Sequence, residues 1–257
     1  MGRQMGIFDH SRALHAVVLA WGMAWFGPAA GLAAGPLNSP EPALPATTSA
    51  EPFGLFTSPL YDGGLQDKWL GVERELDGEL LVLALCEENR DSCASPAALR
   101  FLAIVDSAKA RDGRARLGEI NRAINLAIKP MSDLAQYGAP DLWSSPLATF
   151  ARGAGDCEDY AIAKLVALRQ AGIPREDVRL LILHDTLRGE DHAVAAARLD
   201  GRWLTLDNRR MAMVEDVQVR NYRPTFLIDH EGVKRYQDAP LPALEDRGPI
   251  SAAYAGY

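Results

Sequence analysis

Gly153-Ala154-Gly155-Asp156-Cys157-Glu158-Asp159-Tyr160-Ala161-Ile162-Ala163-Lys164-Leu165-Val166-Ala167-Leu168-Arg169-Gln170-Ala171-Gly172-Ile173-Pro174 is the stretch on which the fold turns. Asp156 suits a helix N-cap. Residues 157–171 follow with apolar side chains at helical spacing. Gly172 fits the first position past a helix C-terminus, and Pro174 stands just beyond it. After Pro174 the hydrophobic period drops from 3.6 to 2. The period-2 runs 178–183, 192–199 and 202–206 read as strands. Asp200-Gly201 between the last two is a two-residue hairpin turn. A further strand is expected at 225–228.

Upstream of the glycine segment the chain is helical in pattern. Residues 97–111 follow Ser95-Pro96. Residues 115–129 place Leu117, Ile120, Ile124 and Ile128 on one side and stop at Pro130. Helices first and an antiparallel sheet second is an α+β layout. Structure is expected from about Trp69 onward. Six prolines between 36 and 59 mark residues 35–64 as a linker or a surface arm. Residues 237–257, rich in Pro and Ala, read as a flexible tail. Residues 1–34 have the three-part layout of a secretory signal: Arg3 and Arg12, an apolar run over 13–26, then small residues to Ala34. That leaves 65–236 as the folded domain.

The 257 residues are 48% hydrophobic and 24% charged, ordinary for a globular protein. A net charge of −7 argues against a nucleic-acid partner, which calls for a basic surface. Three cysteines are present. Cys86 and Cys93 are spaced for a disulfide closing a short loop, which an exported chain permits. They lack the second pair a zinc site needs. Cys157 is then the odd thiol.

Cys157 falls in the expected first turn of a helix, where free N–H groups and the helix dipole favour a thiolate. A buried structural cysteine is the competing reading. Asp156, Glu158 and Asp159 surround it, and unpaired carboxylates would raise a thiol's pKa. His192 opens the first strand of the hairpin and Asp207 closes the second. The Asp200-Gly201 turn pairs 199 with 202, which sets Asp207 diagonally across from His192. Nucleophile, base and a carboxylate to orient the base is the constellation of thiol-based acyl chemistry. His184, beside Asp185, is a second candidate base without that link to Asp207.

Gly155-Asp156-Cys157-Glu158-Asp159-Tyr160-Ala161 with Lys164, Gly172-Ile173, Asp191-His192-Ala193-Val194 and Leu206-Asp207-Asn208 together resemble the bacterial transglutaminase-like cysteine proteinases. Asp141-Leu142-Trp143, Ser145-Pro146 and the Asn121 and Asn125 helix resemble them too. The resemblance implies a papain-like fold over roughly residues 65–236. It implies catalytic roles for Cys157, His192 and Asp207, and Ca²⁺ held by Asp156, Glu158 and Asp159. It also implies a periplasmic or secreted location. The implied partners are a protein substrate such as a large surface adhesin, and an inner-membrane receptor that senses a cyclic dinucleotide. Three carboxylates are fewer than the six to eight oxygens calcium takes. Two other readings fit the same residues: acyl transfer or deamidation at Gln side chains, and a non-catalytic calcium-binding module.

Overall fold

The computed structural model describes residues 49–237. The expected secretory signal over 1–34 and nearly all of the expected tail over 237–257 lie outside these. The chain first forms a short turn at Pro52–Gly54 and strand β1, Thr57–Pro59. The helical part follows: α1 Gly64–Glu88, α2 Pro96–Lys109 and α3 Gly113–Ala127. The two-residue strand β2, Lys129–Pro130, leads into α4, Asp133–Tyr137, and α5, Pro146–Arg152. Strand β3, Ala154–Gly155, precedes α6, Cys157–Gln170. The sheet strands are β4 Val178–Asp185, β5 Glu190–Leu199, β6 Arg202–Leu206, β7 Val214–Glu215, β8 Tyr222–Ile228 and β9 Val233–Tyr236. Together with β1 they form one antiparallel sheet in the order β1-β9-β8-β4-β5-β6-β7. This is the expected α+β class.

The Asp200-Gly201 turn holds the expected register, with Leu199 opposite Arg202 and Ala195 opposite Leu206. Both turn residues have positive φ, 50° and 77°, as a type I′ turn demands. Alternation sorts the strands into two cores. Leu180, Ile182, Ala193, Ala195, Ala197, Leu204 and Leu206 join the core that the helices share. Leu181, Leu183, Val194, Ala196 and Trp203 form a second core on the opposite face, with Phe53 and Leu55 packed onto it. Three alanines on the helix side of β5 present little bulk, so α6 packs close against that strand.

Every residue of α6 from Cys157 to Leu168 is buried. It is a central helix, with α2, α3 and α5 packed around it and β4 and β5 beneath. Its C-terminus closes as expected: the Ile173 N–H donates to the Leu168 carbonyl and Gly172 has φ 86°.

Two features differ from the sequence reading. Helix α1 begins at Gly64 and runs 25 residues, where the pattern gave only a start near Trp69. Gly71 and Gly78 weaken its helical signal in the sequence, and exposed Leu70, Leu80, Leu81 and Leu85 blur its apolar face. Part of the Pro-rich arm is structured. β1 pairs with β9, and Glu51 reaches Arg179 at 2.7 and 3.0 Å. The Trp203 indole donates to the Ala50 carbonyl. Cys86 and Cys93 are joined in a disulfide and Cys157 is free. Among the described residues no helix is long and apolar enough to cross a membrane.

Candidate active site

Cys157 is the first residue of α6 and is 3% exposed. The approach to it is built from glycines. Gly153 ends α5 in the left-handed region at φ 73°. Gly155 sits in β3, paired with Pro130 of β2. A Cβ on Gly155 would lie 2.7 Å from Asp159 Oδ2 and 2.8 Å from Asp159 Cβ, so only glycine fits there. The Cys157 thiol donates to Glu158 Oε2 at 3.2 Å. Burial pushes its pKa up, and the charges of Glu158 and Asp156 push it further. The Ala193 N–H, directed at the sulfur, works the other way. That contact puts the residue next to His192 against the nucleophile candidate.

His192 is 1% exposed, on β5 opposite Leu183. Its Nε2 lies 2.9 Å from Asp207 Oδ1. Its Nδ1 is buried and has no hydrogen-bond partner among the described residues. Burial lowers the pKa of the imidazole, and the Asp207 carboxylate opposes that. Asp207 directly follows β6. Burial works against its charge, yet the hydrogen bonds from His192, Tyr222 and the Arg209 N–H hold its carboxyl well below the usual range. Arg209 N donates to Oδ1 at 3.0 Å and the Tyr222 hydroxyl to Oδ2 at 2.6 Å.

The backbone around Asp207 is fixed from the helical side. The Asn125 side-chain amide donates to the carbonyls of Asp207 (2.9 Å) and Arg210 (3.1 Å). The Asn121 amide donates to those of Arg210 and Met211. Lys164, fully buried on α6, donates to the Leu206 carbonyl at 3.2 Å. Burial brings its pKa down to about 7 against the pull of Asp207. His184 is not part of this assembly: its Nδ1 pairs with Asp191 Oδ1 at 2.9 Å.

The carboxylates flanking Cys157 gather with one the sequence reading missed. Asp133, at the start of α4, Asp156 and Glu158 each bring an oxygen within 4.8 Å of the others. Asp133 is 24 residues from Cys157 in the chain, and the pairing of β2 with β3, extended by the Met131 N–H to the Gly155 carbonyl, brings the two segments together. Asp159 Oδ1 accepts the Ser144 N–H at 2.9 Å, while its Oδ2 is buried without a hydrogen-bond partner among the described residues. Asp156 does not cap α6 with its side chain. Burial raises Asp156 to about 7 and Asp159 to about 8, with like charge adding to each. Glu158 is raised by burial and then by Asp156. Asp133 Oδ1 and Asp156 Oδ1 are buried without hydrogen-bond partners among the described residues.

Residues 81–227 match the family described as bacterial transglutaminase-like cysteine proteinase. Among solved structures, LapG of Legionella pneumophila has a similar fold, with TM-score 0.50 and 22% identity. That likeness covers 62% of this chain and 87% of LapG. Calcium-bound LapG from the same organism gives TM-score 0.51 at 21% identity, covering 63% of this chain and 90% of that one. No curated protein sequence matches the chain. The family match spans more than half of the sequence and includes Cys157, His192 and Asp207: the chain belongs to the bacterial transglutaminase-like cysteine proteinases.

Proposed function

We propose that this cysteine peptidase uses Cys157 as nucleophile, His192 as general base and Asp207 as the carboxylate that orients the base. The observation that carries the reading is the buried His192–Asp207 hydrogen bond at 2.9 Å, with the opposite imidazole nitrogen left unpaired. With Nε2 held by Asp207, Nδ1 takes the proton from the thiol. The thiolate then attacks the scissile carbonyl carbon, and the Cys157 N–H, which has no helical partner at the first position of α6, donates to the oxyanion. The imidazolium returns its proton to the leaving amine. Water, deprotonated by the same nitrogen, hydrolyses the thioester.

Asp133, Asp156 and Glu158 are proposed to hold a calcium ion, with Asp159 supplying charge behind them. Two buried, unpartnered carboxylate oxygens support the fit, and hard oxygen donors suit this cation. When bound, the ion would offset the negative charge that otherwise raises the thiol's pKa. Backbone carbonyls and water would complete the coordination shell. The sequence features of residues 1–34 support export through a cleaved signal, with 35–64 as the arm before the peptidase domain. An exported surface adhesin as substrate and an inner-membrane receptor as regulator complete the proposal, on the family resemblance.

The test is incubation of the wild-type protein and Cys157→Ala with periplasmic and surface protein extracts, followed by N-terminal peptide mapping. New N-termini with the wild type alone are expected. Ammonia release from glutamine without chain cleavage would replace peptide-bond cleavage with side-chain deamidation.

A further inference from the structure

We infer that Tyr222 is a positioning residue that sets the proton affinity of His192 through Asp207. Tyr222 enters from β8, which is separated from β6 in the sheet by β4 and β5. Its hydroxyl donates to Asp207 Oδ2 at 2.6 Å, and its ring lies tilted at 5.8 Å from the His192 ring. Both residues are buried. Oδ1 of the same carboxylate takes the His192 nitrogen and the Arg209 N–H. Arg210 Nε stands 3.9 Å from Oδ2, beyond hydrogen-bond range. The phenol therefore disperses the half of the Asp207 charge that does not face the base.

The location of Asp207 does not depend on this bond. Asn125 holds its carbonyl, Lys164 holds that of Leu206, and the Arg209 N–H holds Oδ1. What Tyr222 adds is charge dispersal and cover. Without the hydroxyl, more negative charge rests on Oδ1 and the imidazolium is favoured. The other groups that set the charge around His192 and Asp207 are Arg209 and Arg210 on the loop after β6, Asp185 on β4, and Lys164 on α6. A Tyr222 substitution leaves all of them in place.

The experiment is an NMR titration of ¹⁵N-histidine in the full chain, following His192 in wild type, Tyr222→Phe and a protein carrying 3-fluorotyrosine at 222. Phe should raise the His192 midpoint by about half a pH unit or more. The more acidic fluorophenol donates more strongly and should lower it. Midpoints that coincide in all three, or that move the opposite way, overturn the inference. Should the Phe protein not fold, the nearly isosteric fluorotyrosine alone decides by the sign of its shift. The kinetic meaning of this tuning rests on the triad proposed above, but the readout does not require turnover. Cleavage that survives Cys157→Ala would refute the triad and leave the titration result standing.

Discussion

Calcium should stabilise this protein more at pH 8 than at pH 5, and the acidic cluster beside Cys157 says by how much. Asp156 is raised from 3.8 to about 7 by burial and by neighbouring carboxylates. Asp159 is raised to about 8, and Glu158 is raised too. A carboxyl whose folded-state pKa lies above its unfolded value favours folding while protonated. That contribution is whole below pH ~4 and is lost as pH climbs through the folded value. For Asp156 alone the loss is on the order of 4 kcal/mol between pH 4 and 7 in cation-free protein. The neighbouring sites are coupled, so their losses do not simply add. A bound dication reverses the balance, because it prefers the ionised carboxylates. The melting temperature in EGTA should therefore fall as pH rises from 5 to 8, while in millimolar calcium it should stay nearly level. Binding near pH 6.5 should also release protons, giving calorimetric enthalpies that differ between buffers of different ionisation enthalpy. Equal melting temperatures in calcium and EGTA at both pH 5 and pH 8, with no proton release, would refute the cluster as a cation site.

Cys157→Ala should abolish cleavage while the circular dichroism spectrum holds and stability falls by only about 1 kcal/mol, the cost of trimming one buried sulfur from the core. Glu79→Ala should cost about 1–3 kcal/mol in chemical denaturation. Glu79 of α1 accepts the Ser145 hydroxyl at 2.6 Å and the Leu147 and Ala148 N–H groups at 2.9 and 3.2 Å, so it caps α5 from outside. Glu79→Gln, which keeps an acceptor, should cost less. Reducing the Cys86–Cys93 bridge should lower stability by about 2.5 kcal/mol, as expected for so short a loop, and leave the cleavage rate at permissive temperature unchanged. A rate that rises in the Cys86→Ser, Cys93→Ser double variant would mean that the bridge restrains the site.

The sequence alone carried the elements whose signals are local. Gly172-Ile173-Pro174 marked the end of the central helix, and the Asp200-Gly201 turn fixed the register that sets His192 and Asp207 on neighbouring strands. Once the register is fixed, period-2 alternation leaves little choice of face. Cys157 was legible for the same reason, since a glycine segment followed by a cap-like residue announces a helix start. Helix α1 was not legible, because its glycines and exposed leucines hide the face that packs. The arm residues that dock on the sheet were hidden too, since pairing β1 with β9 joins segments about 175 residues apart in sequence.

Asp133, Tyr222 and the amides of Asn121 and Asn125 show what only the tertiary structure decided. Each reaches the site from a segment distant in the chain. An acidic residue at the start of α4 or a tyrosine on β8 looks like any other surface or core residue in a linear reading. The structure also brought Asp133 to Asp156 and Glu158, and gave one oxygen of Asp159 to the Ser144 N–H. Residue types and short spacings declare which chemistry a chain can perform. Which buried charges share one volume is set by packing between distant segments, and that in turn sets the proton affinities at the site.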